Sequence, residues 1–179
     1  MAGPVAFVTA WAALGARAAG YDPTRDAISR LAALGAPTRP AMTAGLVALG
    51  AGMALYGLAV RPDPAWPLPV VNGAVTLAVA ALPLGGAYDN AHGVAAGLGY
   101  LTLAAVPVAV GRRPRSVAFG VVSGVCLLLT VALDRDGLFQ RVGLTVAQAW
   151  VAVSALALLR SPTRSSTTPR GRARGDRRR

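Results

Sequence analysis

Long apolar runs, each closed by a short stretch of Pro, Gly, Asp or Arg, repeat along the chain. A helix needs about 20 apolar residues to cross the hydrocarbon layer, with a range of roughly 17–25. Six runs come near that length: residues 2–19, 40–60, 67–87, 91–110, 116–133 and 142–159. They carry no polar stripe. Helices apolar all round lie in a membrane or at the centre of a large protein, and 179 residues are too few for the second. The pattern predicts an all-α fold: a polytopic membrane protein with a six-transmembrane-helix bundle over residues 1–160. Short loops make sequence neighbours pack antiparallel. Arg17 lies near the end of the first run, where its long side chain can reach the interface. A signal peptide competes with this reading, since Ala16-Arg17-Ala18 resembles a small-x-small cleavage site, but a cationic leader is missing. An upstream start, with the first helix truncated here, is a third reading.

The first loop, residues 20–39, has a pattern of its own. Asp22-Pro23 offers an N-cap acceptor before a proline at the first helical position. Asp26 and Arg30 stand four apart, in the favourable acid-then-base order. Ile28, Leu31 and Leu34 recur at helical spacing, and Gly35 and Pro37 end the pattern. These signals predict a short amphipathic helix lying at the interface.

Composition sharpens the picture. Hydrophobic residues make up 54% of the chain and charged residues 14%, against about 25% charged in a soluble domain. Every cation is Arg and every anion Asp, with abundant Ala, Gly, Val and Pro, a codon bias expected of a GC-rich, perhaps actinobacterial, genome. Of the 18 arginines, eight fall in residues 160–179. That Ser, Thr, Pro, Gly and Arg tail cannot bury a core, so residues 161–179 are expected to be a disordered basic cytoplasmic tail. No aromatic residue interleaves it, so a base-stacking platform is absent and nucleic acid is not the expected partner. Anionic lipid headgroups are.

Counting arginines sets the orientation. With an inner N-terminus, the inner side holds Arg61, Arg112, Arg113, Arg115 and the eight of the tail. The outer side holds Arg17, Arg25, Arg30, Arg39, Arg135 and Arg141. Both termini are therefore expected in the cytoplasm, with the protein in the plasma membrane. Trp66 suits an inner interfacial anchor, and Tyr21 and Tyr88 outer ones; Trp11 and Trp150 fit less well. Gly93 with Gly97, and Gly120 with Gly124, form small-xxx-small faces that let helices approach closely. They serve packing within the chain, or a homo-oligomer.

Candidate chemistry gathers on the expected outer face. Three loops supply it: Tyr21, Asp22, Asp26, Ser29 and Arg30; then Tyr88, Asp89, Asn90 and His92; then Asp134, Asp136, Gln140 and Arg141. A binding cluster would draw on Tyr21, Asp22, Asp26, Asp134, Gln140 and Arg141. A catalytic one would pair Asp89 with His92, three residues apart, as acid and base, with Asp26 or Ser29 as nucleophile. The competing reading is a solvated rim of Arg–Asp pairs. One histidine and one cysteine, Cys126, which falls in a hydrophobic run, make a metal site or a bis-histidine haem unexpected, and an intrachain disulfide is excluded. Within the runs, Asn72 and Gln148 are expected to bridge helices. No charge lies in mid-span, which counts against an ion-coupled pump. No Walker loop, dinucleotide fingerprint or HExxH is present, and no cofactor is expected.

The segment Gly20-Tyr21-Asp22-Pro23-Thr24-Arg25-Asp26-Ala27-Ile28-Ser29-Arg30-Leu31, the His92-Gly93 pair opening the fourth run, and the Gly137, Gln140, Arg141 element before the sixth resemble the bacterial and archaeal membrane family catalogued as domain of unknown function 998. The resemblance covers about residues 5–160 and implies six spans with outward polar loops. Arg30 stands where an acidic or neutral residue is expected, which speaks against an acidic site there. The family implies no activity. The leading expectation is a protein that binds a lipid or small amphiphile, or assists another membrane protein. A membrane-embedded hydrolase or transferase using Asp89 and His92 is the alternative, and a small transporter the third reading.

Overall fold

The computed structural model describes residues 2–133 and 136–160. Among these, six α-helices and one 3₁₀ turn form an all-helical bundle. The helices are α1 (Ala2–Gly15), α2 (Arg39–Ala59), α3 (Pro67–Ala81), α4 (Asp89–Gly111), α5 (Pro114–Ala132) and α6 (Asp136–Arg160). Each packs on its sequence neighbour, except that the α1–α2 connection carries the 3₁₀ turn Ile28–Ala32, and α6 closes the bundle against α4 and, more lightly, α1. Proline sits in the first two positions of α2, α3 and α5. Its fixed φ suits a helix start, where its missing N–H would have no partner anyway.

Two expected runs are shorter as helices. α1 stops at Gly15, and the chain then turns through residues 16–20. α3 stops at Ala81 because Pro83 follows: proline disfavours helical geometry at the residue before it, and Leu82 sits at φ −112°, ψ 79°. At 14 and 15 residues and about 1.5 Å rise per residue, α1 and α3 are each shorter than a hydrocarbon layer of roughly 30 Å. The other four, α2, α4, α5 and α6, are long and apolar enough to cross it. α6 begins earlier than its apolar run, at Asp136, so Gln140 and Arg141 lie on its second turn.

The surface is inverted relative to a water-soluble protein. Leu128 is 69% exposed and Val131 86%, whereas Ser123 and Gln148 are 0% and 1% exposed. Apolar side chains face outward all round, and polar ones stitch helices together inside, as lipid demands. Asn72 Nδ2 donates from α3 to Gly99 O (2.8 Å) and Thr102 Oγ1 (2.9 Å) on α4, so it bridges helices as expected. Ser123 Oγ joins α5 to Gly143 O of α6, Trp150 Nε1 donates to Ser116 Oγ, and the Tyr56 and Ser154 hydroxyls pair at 2.8 Å. Gln148 does not bridge: both its amide atoms are buried without a partner.

Close helix contact depends on glycine at specific points. A Cβ on Gly73 would stand 2.5 Å from Gly50 O, so α3 and α2 touch backbone to backbone. Gly120 likewise fits against Val108 and Ala104 of α4, the expected intrachain packing face. Gly93 and Gly97 have nothing within 4 Å of an added Cβ.

Candidate functional site

The first loop turns inward. The helical spacing gives a five-residue 3₁₀ helix, Ile28–Ala32: Ile28 and Leu31 are buried against α1, α2 and α6, Arg30 is exposed, and Leu34 lies beyond it and stays exposed. Short α1 and α3 leave room at this end of the bundle, and burying two large aliphatic side chains there stabilises it by several kcal/mol, at about 1.5–3 each. Asp22 does not cap that helical turn. Its carboxylate accepts from the Thr24 N–H (2.8 Å) and hydroxyl (2.7 Å), closing a local turn. These two bonds hold the Asp22 carboxyl below its ordinary range. The Asp26–Arg30 pair does form, at 2.5 Å.

Helix α6 clamps this loop. Gln140 Oε1 accepts from the Ile28 N–H at 2.7 Å. Arg141 Nη1 donates to Pro23 O (2.5 Å), Asp26 O (3.0 Å) and Gly137 O (2.8 Å), while Nη2 donates to the Tyr21 hydroxyl. The guanidinium also lies 5.3 Å from the Trp11 ring centre and 5.4 Å from that of Tyr21. Carbonyl, hydroxyl and ring electrons, rather than a carboxylate, face this buried cation among the described residues. Burial raises the Tyr21 phenol above its ordinary value, against the lowering effect of Arg141. Gly137 permits the approach, since a Cβ there would stand 2.5 Å from both Asp26 O and Pro23 O. Gly137 N and Leu138 N donate to Arg25 O and Thr24 O, and Leu34 N donates to Leu84 O of the loop after α3. The three polar segments therefore meet.

Beneath the clamp lies a cavity of about 60 Å³, lined mainly by Phe7, Ile28, Leu46, Leu49, Val79, Leu103 and Leu144, with Ser29, Asn72, Thr76, His92, Tyr100 and Gln140 supplying polar groups. A water occupies about 30 Å³ of liquid, so the space suits a small polar group. Gln140 orients one wall. Its Oε1 is committed to a backbone N–H, so its Nε2 donates to the Tyr100 hydroxyl oxygen, which leaves the phenol proton free to donate. His92 orients another. Its Nδ1 lies 2.5 Å from Leu82 O, which can only accept, so Nδ1 carries the hydrogen. Nε2 is buried without a partner, in a residue only 4% exposed.

The sequence-derived residues thus separate. Ser29, His92 and Gln140 share the cavity. Tyr21, Asp26 and Arg141 form the clamp above it, with Asp26 engaged by Arg30 and the Asp22 N–H. Asp89 does not meet His92: its carboxylate accepts from the Gly85 (2.7 Å) and Gly86 (3.1 Å) N–H groups of the loop before α4. Asp134 and the basic tail 161–179 lie outside the described residues. Sequence reasoning missed Tyr100 and Thr76, whose only signal was a hydroxyl within an apolar run.

On the far side of the α3–α4 seam, a groove of about 420 Å³ faces outward, lined by Val75, Ala78, Asn90, Ala91, Val94, Ala95 and Leu98.

An apolar exterior, a hydrogen-bonded polar interior and four helices of spanning length define a helical membrane protein. The model of a family described as "Protein of unknown function (DUF998)" matches residues 1–157, and the chain belongs to that family. No curated protein and no solved structure matches it.

Proposed function

We propose that this protein binds a lipid or small amphiphile of the outer leaflet, with the polar head in the cavity beneath the clamp. One observation carries the reading: the buried, unpartnered Nε2 of His92 on the wall of a mainly apolar cavity. A polar group without a partner in such surroundings costs about 1–3 kcal/mol, and a bound head group would relieve that cost. The groove across the α3–α4 seam offers a place for the chain. Mass spectrometry of lipids co-purified in mild detergent tests it. A defined lipid should be enriched with the wild type and lost with His92→Ala; identical bulk lipid in both would overturn the reading and turn the search to a protein partner.

The orientation in this reading follows the arginine balance: twelve inside and six outside for a six-span chain with both ends in the cytoplasm of a plasma membrane. Ser29 and His92 on one cavity favour a second reading, a membrane-embedded hydrolase or transferase. It requires turnover of a lipid that His92→Ala abolishes. In it the Leu82 carbonyl, not Asp89, orients the imidazole. Transport is a third reading, and requires flux in proteoliposomes.

A further inference from the structure

We infer that the head group taken by this cavity is a neutral hydroxyl, so the ligand class is a long-chain alcohol or a lipid with a free alcohol group; the inference rests on the amphiphile-binding reading above. The cavity presents two complementary groups whose hydrogens are fixed by their other partners. In the uncharged form, with Nδ1–H committed to Leu82 O, Nε2 is an acceptor. With Gln140 Nε2 donating to its oxygen, Tyr100 offers its O–H as a donor. A hydroxyl is the smallest group that donates to one and accepts from the other.

Charge points the same way. No Arg or Asp lines the cavity, and Nη1 and Nη2 of Arg141 are engaged by the Pro23, Asp26 and Gly137 carbonyls and the Tyr21 hydroxyl, with its Nε buried without a partner. A carboxylate or phosphate would enter a low-dielectric space with no counter-charge, a penalty of several kcal/mol. The rest of the chain then passes between α3 and α4 towards the outward groove. A site built to hydrogen-bond a hydroxyl rejects analogues that leave its buried groups unpaired.

The test uses the full chain in lipid nanodiscs and three photoactivatable probes of one chain length: a fatty alcohol, the matching fatty acid and the matching alkyl phosphate. The alcohol should label peptides of α3 or α4 saturably, and unlabelled alcohol should compete. Tyr100→Phe removes one hydroxyl and His92→Phe removes both ring nitrogens, and each keeps a ring of similar size. Each should weaken alcohol labelling by roughly tenfold, the equivalent of one lost hydrogen bond, while thermal unfolding confirms that both variants are folded. If the acid or phosphate labels as well as the alcohol, with His92 still required, the hydroxyl assignment is overturned and amphiphile binding stands. If no probe labels saturably, both fall.

Discussion

Gln140 and Arg141 are neighbours in sequence, yet one faces the cavity and the other the loop above it. The Arg141 bonds reach residues 115–120 positions away. Its guanidinium is buried, and three carbonyls and a phenol depend on it. We expect Arg141→Ala to cost about 2–4 kcal/mol, because charged hydrogen bonds are lost and buried acceptors are left unpaired. Arg141→Lys should recover only part, since an ammonium lacks the planar fork that meets several acceptors at once. Cys126 is a half-buried single thiol, so thiol-dye uptake during heating in mild detergent measures both variants. Unfolding temperatures equal to wild type would show the clamp to be dispensable. The Asp26–Arg30 pair was legible in the sequence because i,i+4 spacing alone brings the two together on a helix. The Arg141 partners were not, because no local rule joins residue 21 to residue 141.

At the scale of the helices, the small-xxx-small pattern identifies faces without saying which are used. Of the two pairs that spacing picks out, Gly120 meets α4 closely, whereas Gly93 and Gly97 meet nothing in the chain. A close backbone contact, Gly73 on Gly50, belongs to neither pair. Gly73→Ala places a methyl 2.5 Å from Gly50 O and 2.9 Å from Ala54 N. Both are backbone atoms, so α2 and α3 must part, at roughly 1–3 kcal/mol. Gly97→Ala has open space and should change stability by less than about 0.5 kcal/mol. Thiol-dye melting of the two variants side by side checks the contrast, and equal losses would contradict it. The helix ends were partly legible. Leu82-Pro83 announces the end of α3 by proline chemistry. The early start of α6 at Asp136, ahead of the apolar run, is held by backbone contacts to the first loop.

For the whole molecule, parity is the decisive quantity. Six spans place residues 136 and 160 on opposite sides of the bilayer. With α1 and α3 at 14 and 15 residues, six spans would require both to cross with help from non-helical flanks or from a locally thinned bilayer. We expect a reporter fused after Leu159 to read as cytoplasmic and one inserted near Asp136 to read as external. Readings on one side for both would exclude six spans. The inverted surface has its own physical logic. Lipid supplies no hydrophobic drive between helices, so the bundle coheres through close glycine contacts and buried hydrogen bonds such as Asn72 to Thr102 and Ser123 to Gly143.

The sequence by itself determined the class: helical, apolar outside, and a member of its family through the Tyr21-Asp22-Pro23 and Gly137, Gln140, Arg141 elements. Run length, proline position and composition are local properties, and lipid as solvent allows little besides helices to such a chain. Only the tertiary structure decided what the polar loops are for. It packed the apolar side chains of the first loop onto the bundle, spent Asp89 on the loop before α4, and put His92 and Tyr100 on one cavity. Those outcomes rest on contacts between segments remote in sequence, where burial and the satisfaction of each polar group across the bundle select the arrangement.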